Sequence, residues 1–447
     1  MPSELQQRII EYGQEHVLKF WDELDETHQK SFILQLDSID FNLFGSLQQV
    51  STNTTELELQ PASVSRLDDT HKQIGIERIK QGELGVLTVA GGQGTRLGWN
   101  GPKGTFPATP ITGKSLFQVI AEQIVFASRK YEITIPWYIM TSVENDAVTR
   151  SFLLDNNCFG LERTNIIVFA QGEVPAFDSD GKMLLASKGS IAMNPDGHGG
   201  VVAALQRSGG LSEMESRGIQ HISYVQVDNP LAHVVDPEFL GVHLSDDSSK
   251  EITSKCIMKT DPEERVGVFC LRDGKTTIVE YSNLPSEKAI ETSEDGKLRY
   301  GAGSIAIHMM SREFLQRIAD EMPWHKAHKK VPHIDLQTGE LVEPEKPNAY
   351  KYERFVFDVI PLASHSLVVE TDRDEEFAPI KNAKGADSPL TSHQLQRERA
   401  IRWLRTISVE VSESATVELS PLTAASVDDL VKESLPSSIG DDEIVVL

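Results

Sequence analysis

The chain has 447 residues, 39% hydrophobic and 25% charged, with a formal net charge of -24 at pH 7. This composition excludes large-scale disorder and disfavours nucleic acid as a partner, because the summed surface field repels polyanions and any anionic ligand needs a local cationic pocket. The opening MPSELQQRIIEYGQEH has no basic start or apolar h-region, no run approaches the roughly 18 apolar residues of a membrane span, and Cys158, Cys256 and Cys270 show no C-x-x-C spacing, so a cytoplasmic protein without membrane, disulfide framework or thiolate zinc site is expected.

In chain order, Leu5, Ile9, Tyr12, Val17 and Phe20 recur at helical spacing, and FILQLDSIDFNLF repeats the pattern after a polar DETHQKS break. Residues 1–78 therefore read as a helical region, with the polar stretch 51–65 as its connector. From about residue 83 the apolar runs GVLTVA, ITIPWYIM, TNIIVFA and ISYVQVD alternate with helical segments, which predicts an α/β domain over 79–390 with a largely parallel sheet. Ser115 and Gln118 form a capping-box pattern ahead of Leu116, Ile120 and Ile124 on one helix face. Residues 391–447 read as a small α+β domain, a helix QLQRERAIRWLRT followed by a strand pair in ISVEVSESATVELSP.

The stretch LTVAGGQGTRLGWNGPKGTF, residues 87–106, ends an apolar strand in glycines and then supplies two cations. A dinucleotide-type G-x-G-x-x-G does not fit, because the glycines fall at 92, 94 and 98. A relaxed P-loop fits ATPITGKS at 108–115, but Pro102, Pro107 and Pro110 argue against the buried strand such a loop must leave. In the third reading Gly91, Gly92 and Gly94 let the backbone approach a nucleotide and aim N–H groups at phosphate, while Arg96 and Lys103 add positive charge. The plain alternative is a tight turn with two solvated cations. Asp228 closes the strand YVQVDN, where a carboxylate suits either a divalent metal or a turn cap. The histidines of HKAHKKVPH are interleaved with lysines and lack a carboxylate at ligand spacing, so a basic loop is expected there.

AGGQGTRLG followed by PKG resembles the signature of the UDP-sugar pyrophosphorylases (uridylyltransferases), closest to the UDP-N-acetylglucosamine or UDP-N-acetylhexosamine type. The similarity runs on through MTS, FAQGEVP, NPDGHGG, YVQVDNPL, RVGVFC, VEYS, IAIH, HKKVP, YERFVFD and EFAPIKNAKGADSP, an ordered agreement over about 300 residues. It implies a Rossmann-like nucleotide-diphospho-sugar transferase fold (GT-A-like) with a mixed, mainly parallel sheet. It also implies a reaction of UTP with a sugar 1-phosphate that yields a UDP-sugar and pyrophosphate, with Mg2+ as cofactor. By the same resemblance Arg96, Lys103 and Lys381 are catalytic cations, and Asp228 is the metal ligand. Gly91, Gly92, Gly94, Thr95, Gln171 and Gly197 hold the nucleotide.

Around the sugar, where the N-acetylglucosamine enzymes commonly read PDGNGG, EYSE and GNI, this chain has His198, Asn283 and Ser304, and Gly267 keeps the expected residue. These departures leave open a UTP–glucose-1-phosphate or broad UDP-sugar activity. A UDP-sugar-binding sensor without chemistry is the non-enzymatic alternative, and a monomer is expected.

Overall fold

The structure, a computed structural model, describes residues 1–50, 58–430 and 435–447. It divides into two compact units: Met1–Glu56 with Gln171–Val201 and Glu321–Val356, and Leu57–Ala170 with Val202–Asp320 and Phe357–Leu447. Among the described residues no helix is long and apolar enough to cross a membrane.

In the first unit, α1 (Ser3–Glu11), α2 (Glu26–Ser38) and α3 (Leu43–Gln49) bury Leu5, Ile9, Phe32, Leu36, Phe44 and Leu47. Their apolar faces meet residues far away in sequence, among them Val174, Phe177, Leu185, Ile191, Ile334 and Tyr352. Phe44 and Phe177, for instance, pack edge to face at 4.9 Å. The expected break at DETHQKS is instead the beginning of α2: the Asp25 carboxylate accepts from the His28 N–H at 2.8 Å, so the polar residues form the capped first turns of a helix. Residues 51–57 of the expected connector lie outside the described residues, and the remainder contributes the short strands Leu59–Pro61 and Ser65–Arg66 to the second unit.

The second unit is built on β1 (Leu84–Val89), α4 (Leu116–Tyr131), β2 (Trp137–Thr141), β3 (Ile166–Ala170), β4 (His221–Gln226), β5 (Ile252–Met258), β6 (Ala302–Ser311) and β7 (Ser366–Glu370). Among the described residues the sheet has eleven strands, with the path Ser65–Arg66, β7, β5, β6, β4, β1, β2, β3. Along this path neighbours pair in parallel except at β6, which runs antiparallel to both β4 and β5; off it, Leu59–Pro61, Val268–Arg272 and Lys275–Val279 pair antiparallel. The carboxyl ends of β1, β4, β5 and β7 therefore emerge on one rim, where β6 begins. α4 fills one face with Phe117, Ile120 and Ile124 against Val86, Trp137 and Val225. Its cap is half of the expected box: Ser115 accepts from the Gln118 N–H, while the Gln118 side chain turns along the helix to Glu122.

The long helix α5 (Pro389–Thr406) has a complete capping box at Ser388 and Thr391. After it, β8 (Glu410–Val411) and β9 (Thr416–Glu418) do not pair with each other, contrary to the expected strand pair. Each pairs in parallel with a later strand, β10 (Ser438–Ile439) and β11 (Ile444–Val446), so the segment forms successive rungs of a coil around Val411, Ala415, Val417 and Ile439. Period-two alternation is shared by hairpins and coils, and only the corner at Ser412–Ser414 separates them.

Two buried histidines bear on acid stability. His221 of β4 and His243 pack edge to face at 5.4 Å, and His243 shares a hydrogen bond with Thr253. Burial depresses His221 to about 4, helped by the Arg78 charge, and depresses His243 to about 3, helped by His221 itself. Their contribution to stability is complete above pH ~6.5 and declines as the unfolded chain alone takes up protons. The expected result is a loss of ~3 kcal/mol for His221 between pH 6.5 and 4, read from urea midpoints, and a flatter profile in His221→Phe.

Candidate active site

β1 leaves the core at Ala90 and enters the glycine turn. Gly92 takes a Lys103 N–H on its carbonyl at 3.0 Å, and Gly94 takes N–H groups from Leu97 and Trp99. A side chain at Gly94 would collide with Trp99 at 2.7 Å, so this glycine is fixed by internal packing. A Cβ at Gly92 would meet nothing within 4 Å, and its φ is not positive. The missing side chain leaves room for an incoming molecule. Asn145, buried at the start of the helix after β2, braces the turn from below by donating to the Gly91 and Gly92 carbonyls at 2.9 and 3.2 Å. Thr95 and Arg96 follow in an exposed 3-10 turn, and no carboxylate pairs with Arg96 among the described residues.

Lys103 opens the next 3-10 turn, Lys103–Thr105, which lies against α4 so closely that a Cβ on Gly104 would overlap Phe117. Its ammonium reaches Asp228, with Nζ 3.1 Å from Oδ2. Asp228 follows the end of β4 on the same rim and is buried. Burial pushes its carboxyl up, but the Lys103 and Lys381 charges outweigh this and hold it below the ordinary carboxylate range. Lys381 arrives from a segment pinned to the same strand end, since the Ile380 N–H donates to the Asp228 carbonyl at 2.8 Å. The Asn229 amide also joins this segment, donating to the Glu376 carbonyl and accepting from the Ala378 N–H.

Gly267 and Ser304 meet at the start of β6, where the Ser304 N–H donates to the Gly267 carbonyl at 2.8 Å; Asn283 closes a turn on Glu280 at the same distance. Glu280 is a candidate that sequence reasoning passed over, although it stands in the quoted VEYS. Burial raises its pKa, and the Lys381 charge opposes that rise. Lys381 thus acts on both Asp228 and Glu280.

Gln171, Gly197 and His198 belong to the first unit. Gln171 is buried. Gly197 has φ +83°, and a Cβ there would strike the Arg354 carbonyl at 2.4 Å, so packing already requires a glycine. His198 Nδ1 accepts from the Val356 N–H at 3.1 Å, and its ring lies 5.4 Å from Phe355. In HKAHKKVPH, His325 to Lys329 form a strand paired with Ala349–Glu353, and His328 stacks on Tyr350.

His233, Asp236 and Glu376 are the one cluster among the described residues with metal-ligand spacing. The Lys255 ammonium already stands among them, 2.6 Å from Asp236 and 2.6–2.7 Å from both Glu376 oxygens, which makes it a buried ion network.

Residues 45–432 match the UTP–glucose-1-phosphate uridylyltransferase family. The chain is 34% identical to the UDP-N-acetylhexosamine pyrophosphorylase-like protein 1 of Xenopus tropicalis, covering 93% of this chain and 91% of that protein. It is 33% identical to the UDP-N-acetylglucosamine pyrophosphorylase of Saccharomyces cerevisiae, covering 94% of each. Among solved structures, that of the uridine diphosphate N-acetylglucosamine pyrophosphorylase from Trypanosoma brucei superposes with a TM-score of 0.82 over 98% of both chains at 26% identity. With nearly nine-tenths of its length matched, the chain belongs to the UTP–glucose-1-phosphate uridylyltransferase family and is a pyrophosphorylase.

Proposed function

We propose that the protein transfers the uridylyl group of UTP to an N-acetylhexosamine 1-phosphate, most simply N-acetylglucosamine 1-phosphate, on a nucleotide-diphospho-sugar transferase (GT-A-like) fold. The observation that carries the reading is the convergence of Lys103 and Lys381 on the buried, ionised Asp228 at the rim where the glycine turn opens. A sugar phosphate oxygen attacks the α-phosphorus of UTP in line, a new P–O bond forms, and the bond to the bridging oxygen breaks to release pyrophosphate. The attacking phosphate is already anionic, so the residues need supply no general base; their task is to hold mutually repelling charges together.

Lys103 follows the charge at the α-phosphate, Arg96 forks onto the departing pyrophosphate, and Lys381 neutralises the sugar phosphate. Gly91, Gly92, Gly94 and Thr95 take the phosphates and ribose, and Gln171, with Gly197, reads the uracil edge. Gly267, Glu280, Asn283 and Ser304 face the sugar, and His198 is assigned to it by the family resemblance alone. UDP-sugar pyrophosphorylases use a divalent metal, and a single buried carboxylate completed by phosphate oxygens and water is a donor set that suits Mg2+ at Asp228. When bound there it would screen the triphosphate charge. The acidic chain supports a monomer working on small anions, not on nucleic acid, and the cytoplasm is the compartment we propose for it.

The test is pyrophosphate release from UTP with Mg2+ and the 1-phosphates of N-acetylglucosamine, N-acetylgalactosamine, glucose and galactose. Turnover is expected to be fastest on an N-acetylhexosamine, to stop with EDTA and to return with Mg2+. A preference for glucose or galactose would overturn the substrate and trace to His198, Asn283 and Ser304. Silence on all four would favour the sensor.

A further inference from the structure

The loop that resembled a P-loop, Ala108–Ser115, has its backbone donors occupied by a carboxylate of the same chain. Glu418 of β9, buried to 4% exposure, accepts from the Ile111 and Thr112 N–H groups at 2.7 and 2.9 Å and from the Thr112 hydroxyl. Three further contacts hold the loop: Gln396 of α5 donates to the Ala108 carbonyl at 2.8 Å, and Lys114 reaches Ser420 at 2.9 Å and Glu122 at 2.6 Å. The loop is a closed hairpin, with Pro107 bridged to Ser115 and the Phe106 carbonyl taking the Leu116 N–H. Its first strand follows directly on the turn Lys103–Thr105, whose Lys103 carbonyl accepts from the Phe106 N–H.

The geometry points to Glu418 as a positioning residue: its carboxylate ties the tip of the hairpin to the C-terminal coil and thereby helps set where Lys103 stands. The inference rests on the catalytic role proposed for Lys103. Glu418 acts through the hairpin and not on substrate; it restrains the tip of the eleven-residue hairpin Phe106–Leu116 that follows the 3-10 turn, and small displacements of a charge-stabilising group cost rate more than binding. Glutamine at 418 keeps the geometry, because its carbonyl can take both N–H groups while its amide donates to the Thr112 hydroxyl.

Glu418→Ala is expected to lower kcat about 10- to 100-fold with KM for UTP changed less than threefold, and Glu418→Gln to retain most of kcat. In a Lys103→Arg background Glu418→Ala should add little, since its effect passes through Lys103. Should Glu418→Ala not fold, Thr112→Val tests the same link by deleting the hydroxyl that bonds Glu418 and, within the hairpin, Thr109 at the exposed tip, with a severalfold fall in kcat expected. Wild-type kcat in a folded Glu418→Ala or Thr112→Val protein, equal losses in the alanine and glutamine variants, or full additivity with Lys103→Arg would overturn the proposal. Wild-type pyrophosphate release in the same assay separates failure of this proposal from failure of the enzymatic reading.

Discussion

Lys103→Ala is expected to lower kcat for pyrophosphate release by about 10²- to 10³-fold while the protein stays folded. The side chain is half-buried on a loop turn, contributes nothing to the apolar core, and ends 3.1 Å from Asp228. Its loss removes the group best placed to follow charge at the α-phosphate and leaves Lys381 as the remaining cation acting on Asp228. The Asp228 pKa then rises, because burial is opposed by one charge instead of two, so activity in the variant should fall off at a higher pH than in the wild type. KM for UTP should move less than kcat, since in the proposed mechanism Arg96 and the glycine turn still hold the triphosphate. Near-normal kcat with an unchanged circular dichroism spectrum would remove Lys103 from the mechanism.

The largest stability effect is expected at Lys255. Fully buried on β5, its ammonium is held by Asp236 and Glu376 and lies 4.9 Å from the Phe239 ring. Burial opposes its charge, but the two carboxylates overcome this and raise its pKa. Asp236 also caps the helix Pro237–His243. Glu376 also accepts from the Thr371 hydroxyl and the His233 N–H. Lys255→Met leaves two buried carboxylates facing each other without a cation, and ~3–5 kcal/mol should be lost in urea denaturation. Adding Glu376→Gln should recover part of that loss by removing one of the charges. A loss below ~1 kcal/mol would mean that water reaches the network. Because the Glu376 carbonyl holds Asn229 beside Asp228, the single variant should also lose activity.

The placement of the glycine turn, Arg96, Lys103 and Asp228 just beyond strand ends was legible because each is local: a strand, its end and the residues that follow it. The four apolar runs became β1 to β4 for the same reason. Asn145, Lys255, Glu280 and Glu418 were not legible. Each acquires its role from a partner brought near by the fold, as Glu418 does from Ile111, 307 positions away. An isolated lysine or glutamate in an ordinary stretch gives no sign that it will be buried and paired. The direction of β6 was equally hidden, since apolar alternation carries no polarity, yet that reversal brings Ser304 to the rim beside Gly267.

The first unit is assembled from three stretches, and its helices come first in the chain while their packing partners extend to residue 356. During synthesis Leu5, Ile9, Phe32 and Leu36 are made long before Ile334 and Tyr352 exist to cover them. This unit can finish folding only after most of the chain has left the ribosome. Contacts of such sequence separation form slowly, and the amphipathic helices must remain in water meanwhile with their apolar faces bare. The nascent N-terminal segment is therefore the part of this protein with the greatest need of chaperone protection.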